Sequence, residues 1–72
     1  MPATRLPSDV TGTVWKVEVA VGDAVQAEQT LVILESMKME IPVSAPRAGT
    51  VLQLLVKAGD AVAEGQDVVV LG

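Results

Sequence analysis

The sequence predicts an all-β domain with an internal twofold. A displacement of 37 positions lays residues 12–35 on residues 49–72 with identity at 11 of 24 positions, the signature of two superimposable supersecondary units. The segments inside each repeat are rich in Val, Thr and Ile, which fit a pleated surface better than a helix. Gly opens each repeat and returns in a Gly-Asp pair ten positions later, the punctuation of short strands and tight turns. Two repeats are too few for a solenoid, so a closed domain with pseudo-twofold symmetry is expected. The same offset relates Glu35 to Gly72 and the neighbourhood of Lys38 to that of Met1, which puts both chain ends opposite Lys38.

Each repeat reads as a strand over residues 13–19 (50–56), a turn at Gly22 and Asp23 (Gly59 and Asp60), a short connector, and a strand over residues 30–35 (67–71). Val14, Val17 and Val19 do not share one strand parity, so a β-bulge is expected between Val14 and Val17. Residues 35–40, Glu-Ser-Met-Lys-Met-Glu, would tolerate a helix with Glu35 and Lys38 paired, but six residues are too few and Ile41, Pro42 and Val43 stop it. The reading is two strands joined by a tight turn at Met37 and Lys38, a hairpin spanning about residues 35–41, although the turn lacks the Gly, Asn or Asp that two-residue loops favour. Gly12, Gly22, Gly49 and Gly59 are read as turn and bulge positions.

Seventy-two residues make one domain, residues 1–72. Ordering them costs on the order of 100 kcal/mol of conformational entropy, so a chain that is 50% apolar must pack its thin core regularly. The chain has no Cys and no His, which removes thiol nucleophiles, disulfides, imidazole bases and nearly every zinc or copper site. No catalytic residue and no metal ligand set is assigned. A net charge of -4 and a single aromatic residue, Trp15, oppose both phosphate neutralisation and base stacking, so no nucleic-acid partner is expected. The longest apolar runs, residues 31–34 and 68–71, are far short of a membrane span. Residues 1–7 lack a signal-peptide apolar region, so a cytoplasmic location is expected.

Three lysines are present. Lys16 and Lys57 lie within or at the end of strands, whereas Lys38 falls between two methionines at the hairpin tip, where a long flexible stem projects furthest. By spacing alone Lys38 is an ordinary surface lysine. Met37 and Met39 are equally readable as core-packing strand ends and as an adaptable recognition surface. Glu35 and Glu40 read first as a solvated hairpin, and Trp15 as packing.

Glu35-Ser36-Met37-Lys38-Met39-Glu40, followed by Ala45-Pro46-Arg47-Ala48-Gly49-Thr50-Val51, resembles the attachment hairpin of the biotinyl (biotin carboxyl carrier) domains of biotin-dependent carboxylases, in the biotinyl/lipoyl attachment family. Gly12-Thr13-Val14-Trp15-Lys16-Val17, Val21-Gly22-Asp23 and Val32-Ile33-Leu34-Glu35 extend the likeness over residues 6–72. Ser36 stands where the family usually has Ala, Ser8-Asp9-Val10-Thr11 replaces the usual Pro-Met pair, and no thumb is inserted before the first Gly-Asp turn.

The resemblance implies a thumbless, flattened antiparallel β-barrel of two four-stranded sheets, monomeric in isolation, with biotin in amide linkage to Lys38 and recognition by way of Glu35, Ser36, Met37, Met39 and Glu40. It implies a carrier of carboxylate, not an enzyme, with biotin protein ligase, biotin carboxylase and carboxyltransferase as partners. A lysine amine must lose its proton to attack an activated acyl group, a task for the ligase. Tethering then makes each encounter local. A lipoyl domain shares the fold and the lysine but typically shows Asp-Lys-Ala where this chain has Met37, Lys38 and Met39. An unmodified structural barrel is the third reading.

Overall fold

Eight strands build two four-stranded antiparallel sheets in the computed structural model, which describes residues 3–72. They are β1 (Thr4–Pro7), β2 (Gly12–Val17), β3 (Ala24–Val25), β4 (Thr30–Ser36), β5 (Met39–Ser44), β6 (Gly49–Leu54), β7 (Ala61–Val62) and β8 (Asp67–Leu71). One sheet runs β1-β8-β6-β3 and the other β5-β4-β2-β7. The 37-residue offset converts one order into the other, so the repeat is a twofold in space. No helix is present among the described residues.

The identical positions of the repeats do the same work twice. Asp23 Oδ2 accepts the Ala20 N–H and Asp60 Oδ2 the Lys57 N–H, both at 2.9 Å. Gln29 Oε1 accepts the Gln26 N–H at 3.0 Å and Gln66 Oε1 the Ala63 N–H at 3.1 Å. Side-chain acceptors thus satisfy turn amides that no strand partner reaches. Gly22 donates to the Val51 carbonyl and Gly59 to that of Val14, each at 2.8 Å. Each turn is therefore stitched onto the other repeat, which closes the barrel. Gly22 and Gly59 both hold φ at 95°, a region that L side chains avoid.

The core lies between the sheets. Val14, Leu31, Val32, Leu34, Val51, Val68, Val69 and Leu71 are fully buried, and Ser8 is the one buried polar residue among those described. Its Oγ donates to the Val10 carbonyl and accepts the Val10 N–H, so it is satisfied locally. Burial of apolar surface at roughly 25 cal/mol per Å² is the main force holding so small a barrel together.

The expected bulge is present. Pairing of β2 with β4 shifts between Val14 and Lys16, and pairing of β6 with β8 shifts between Val51 and Gln53. Trp15 is the extra residue, and the shift turns it outward beside the inward Val14. Trp15, read as packing, therefore lies on the outer face: it is 52% exposed, and its repeat mate Leu52 is 46% exposed. The strands also end earlier than the valine run suggests. β2 stops at Val17 and β6 at Leu54, because the chain bends into the Asp-anchored turns, while Val19 and Val56 still pack on the core.

Gly12 and Gly49 correct the turn-and-bulge reading. Each begins a strand, and a Cβ would fall on the carbonyl oxygen of Glu35 at Gly12 and of Gly72 at Gly49. Close backbone approach is what demands glycine there. The residue pattern did not locate β1, β3 and β7 among the eight strands that two four-stranded sheets require. β3 and β7 are two residues long, and β1 is the repeat mate of β5 with no identical residue to signal it.

Candidate functional site

The hairpin β4–β5 ends in the pair Ser36↔Met39, leaving Met37 and Lys38 as a two-residue loop. Both adopt positive φ, 52° and 66°. This is the backbone of the hairpin turn whose twist matches that of the strands. Without Gly or Asn it costs about 1 kcal/mol per residue. The long register of β4–β5, continuous from Val32↔Val43 to Ser36↔Met39, holds the turn in that shape.

Lys38 therefore stands at the second loop position, exposed. The two ion pairs among the described residues, Arg5–Asp67 and Lys16–Glu18, both at 3.5 Å, leave its amine unpaired. Lys16 and Lys57 are also exposed, but Lys16 lies on the face of β2 beside Glu18, and Lys57 sits in the turn that Asp60 caps. Among the lysines, only Lys38 sits at the apex of a hairpin.

Around it, Met37 is 92% and Met39 64% exposed. The core-packing reading of these methionines is corrected: Met37 lies in the loop beyond the last strand pair, and Met39, a member of that pair, points away from the core. Glu35 and Glu40 face one another directly across the hairpin, both exposed, a like-charge pair that opposes the strands it joins. Ser36 is half-buried, and its Oγ donates to the Thr11 carbonyl at 3.0 Å. That bond ties the base of the tip to the chain entering β2, a role that Ala could not fill. Among the described residues no group of three or more carboxylates is placed to hold a metal ion.

The opposite end is closed by Arg47, which sequence reasoning did not single out. Its guanidinium donates to the Gly72 carbonyl at 3.2 Å and to Thr4 Oγ1 at 2.9 Å. Arg47 follows β5, whose six residues run from Met39 at the tip to Ser44, about 17 Å at 3.4 Å per residue. Thr4 and Gly72 thus lie at the far end of a body 35 Å long and 17 Å across, away from Lys38. Met1, the expected mate of Lys38, lies outside the described residues. The signal for Arg47 was a cation at a position whose repeat mate is the apolar Val10.

A family model described as biotin-requiring enzyme matches residues 2–71. The chain is 50% identical over 56 residues to the biotin/lipoyl attachment protein of Bacillus subtilis (strain 168), covering 78% of this chain and 77% of that protein. It is 41% identical over 69 residues to the biotinylated protein TB7.3 homolog of Mycobacterium leprae (strain TN), covering 96% of this chain and 97% of that one. Kluyveromyces lactis urea carboxylase contains a region that superposes with a TM-score of 0.94 at 42% identity, covering 100% of this chain and 6% of that one. Against the Streptococcus mutans biotin carboxyl carrier protein the chain spans 53% of the relative's length. A match over nearly every residue, a shared barrel and relatives of the same span agree: the chain belongs to the biotin/lipoyl attachment family.

Proposed function

We propose that the chain is a biotin carboxyl carrier domain whose Lys38 bears biotin. The observation that carries the reading is the placement of Lys38: an unpaired amine at the apex of a two-residue turn, between two exposed methionines. A covalent arm asks for an amine that projects freely from a fixed base, and the turn supplies both. Lys38 Nζ, deprotonated in the ligase site, attacks the acyl carbon of biotinyl adenylate. The amide bond forms, the bond to AMP breaks, and the amine proton passes to solvent.

Biotin, when bound, supplies a ring nitrogen that accepts carboxylate at one active site and surrenders it at another. The chain's own part is mechanical. Acylation removes the charge of Lys38, and the side chain becomes the inner segment of a swinging arm. The paired strands beneath fix where that arm starts. With Thr4 and Gly72 at the far end, the tip stays clear of whatever adjoins either end. Tethering raises the local concentration of the labile group at each partner, biotin carboxylase and carboxyltransferase, without a catalytic group on the carrier.

A lipoyl role is the reading to test against, because the chain is also 42% identical over 59 residues to the dihydrolipoyllysine-residue acetyltransferase component of the pyruvate dehydrogenase complex of Haemophilus influenzae. Two ligases that meet the same barrel must choose by the flanking residues. Met37 offers an apolar side chain where lipoyl domains typically place a carboxylate. Burial of one such side chain contributes about 1.5 kcal/mol or more, over tenfold in preference. Purified protein offered to a biotin ligase and a lipoate ligase together, with both acids and ATP, gives mainly the biotinyl adduct by intact mass. Met37→Asp shifts the balance towards lipoate. Predominant lipoylation of the unaltered protein overturns the carboxylase reading.

A further inference from the structure

Met37 and Met39 are the methionines of the described chain, and both put their thioethers in solvent, at 92% and 64% exposure. That is unusual for an apolar side chain in a barrel of valine and leucine, whose fully buried positions contain no methionine. The chain directions at the tip are set by φ of 52° and 66° at Met37 and Lys38 and by the Ser36↔Met39 pair. With no Cys and no His in the sequence, thioethers are the most readily oxidised side chains the domain presents, and they flank its one apical amine.

We propose that Met37 and Met39 form a methionine-oxidation site that governs acylation of Lys38; the consequence for Lys38 rests on the carrier reading above. The oxidant is a hydroperoxide. The thioether sulfur donates an electron pair to the distal peroxide oxygen, the S–O bond forms as the O–O bond breaks, and the departing hydroxide takes up a proton. Methionine becomes methionine sulfoxide, oxidised by two electrons, and hydrogen peroxide is reduced to water. A flexible apolar flank becomes a polar one carrying a strong acceptor. It stands beside Glu35 and Glu40, which are acceptors already. A partner surface that buries a thioether gains nothing from a sulfoxide unless it supplies a donor, and an unsatisfied buried acceptor is costly.

The first oxygen is expected on Met37, the more exposed of the two. The unmodified protein is treated with hydrogen peroxide, mapped by peptide mass spectrometry with Met1 counted separately, and then offered to a biotin ligase with ATP and biotin. The expected result is sulfoxide at Met37 before Met39 and an acylation rate at least tenfold below that of untreated protein. Reduction by methionine sulfoxide reductases with a dithiol restores the rate. In the variant Met37→Leu/Met39→Leu the rates before and after peroxide are the same, whatever the variant's own rate. Equal rates for oxidised and untreated protein overturn the proposal, as does an equal fall in the leucine variant. Untreated protein that takes no biotin overturns the carrier reading instead, and the order of oxidation then decides the site by itself.

Discussion

Gly12 lets β2 lie against the carbonyl oxygen of Glu35, the residue that begins the approach to the tip. A Cβ at Gly12 would meet that carbonyl and come within 3.2 Å of the Ser36 side chain. The obstacle is backbone, so it cannot swing aside. Gly12→Ala is expected to cost about 2 kcal/mol, as overpacking typically does, a fall in melting temperature on the order of 10 °C for a domain this size. Because the displaced carbonyl is two residues from the loop, acylation of Lys38 slows by more than the unfolded fraction explains. Gly22→Ala is the contrast, with open space around it but φ at 95°. It loses stability with no slowing of the folded protein. Equal acylation rates for folded Gly12→Ala and wild type would remove Gly12 from the account of the tip.

Glu28 and Gly65 occupy the same turn of the two repeats, with φ at 68° and 86°. Their amides donate to equivalent carbonyls, Glu28 to Ala45 at 2.7 Å and Gly65 to Ser8 at 2.8 Å. The backbone is thus held in the left-handed region in both, and Glu28 bears a cost of about 1 kcal/mol or more that Gly65 does not. Glu28→Gly relieves it and gives back part through a freer unfolded chain. The expected net gain is about 0.5 kcal/mol in urea unfolding, while Gly65→Ala loses about 1 kcal/mol. A less stable Glu28→Gly would contradict the assignment of strain.

The pair Glu35↔Glu40 joins two strands with like charges. Glu40→Gln removes the repulsion and is expected to raise stability by about 0.2–1 kcal/mol at low salt. The gain shrinks in 1 M NaCl, where charges more than about 3 Å apart in solvent are screened. A gain that persists at high salt points to side-chain packing, not charge.

The hairpin, the Gly-Asp turns and the bulge were legible because each has a local cause: Ile41-Pro42-Val43 forbids a helix, Gly22 needs positive φ, and the parity of Val14 and Val17 needs an extra residue. The apical lysine was legible only in the company of its motif, since one exposed lysine looks like another. What escaped were relationships between distant residues. Arg47 bonded to Thr4 and Gly72 spans 43 and 25 positions. Gly12 against Glu35 depends on how closely two strands approach. β3 and β7 exist because the closing barrel brings Ala24 to Thr50 and Ala61 to Thr13, which no local pattern announces. The face on which Trp15 lies depends on where between Val14 and Val17 the bulge falls, which the residue pattern leaves open.

Attachment at the apex of β4–β5 is open to direct measurement. Purified protein is incubated with biotin ligase, ATP and biotin, then analysed by intact mass and peptide mapping beside Lys38→Arg. Arginine keeps the charge but offers no amine that deprotonates, and at this exposed position it changes stability by no more than about 0.5 kcal/mol. One biotinyl group is expected, on the peptide that contains Lys38, and none on the variant. Biotin on Lys16 or Lys57, or label persisting in Lys38→Arg, would contradict attachment at the apex.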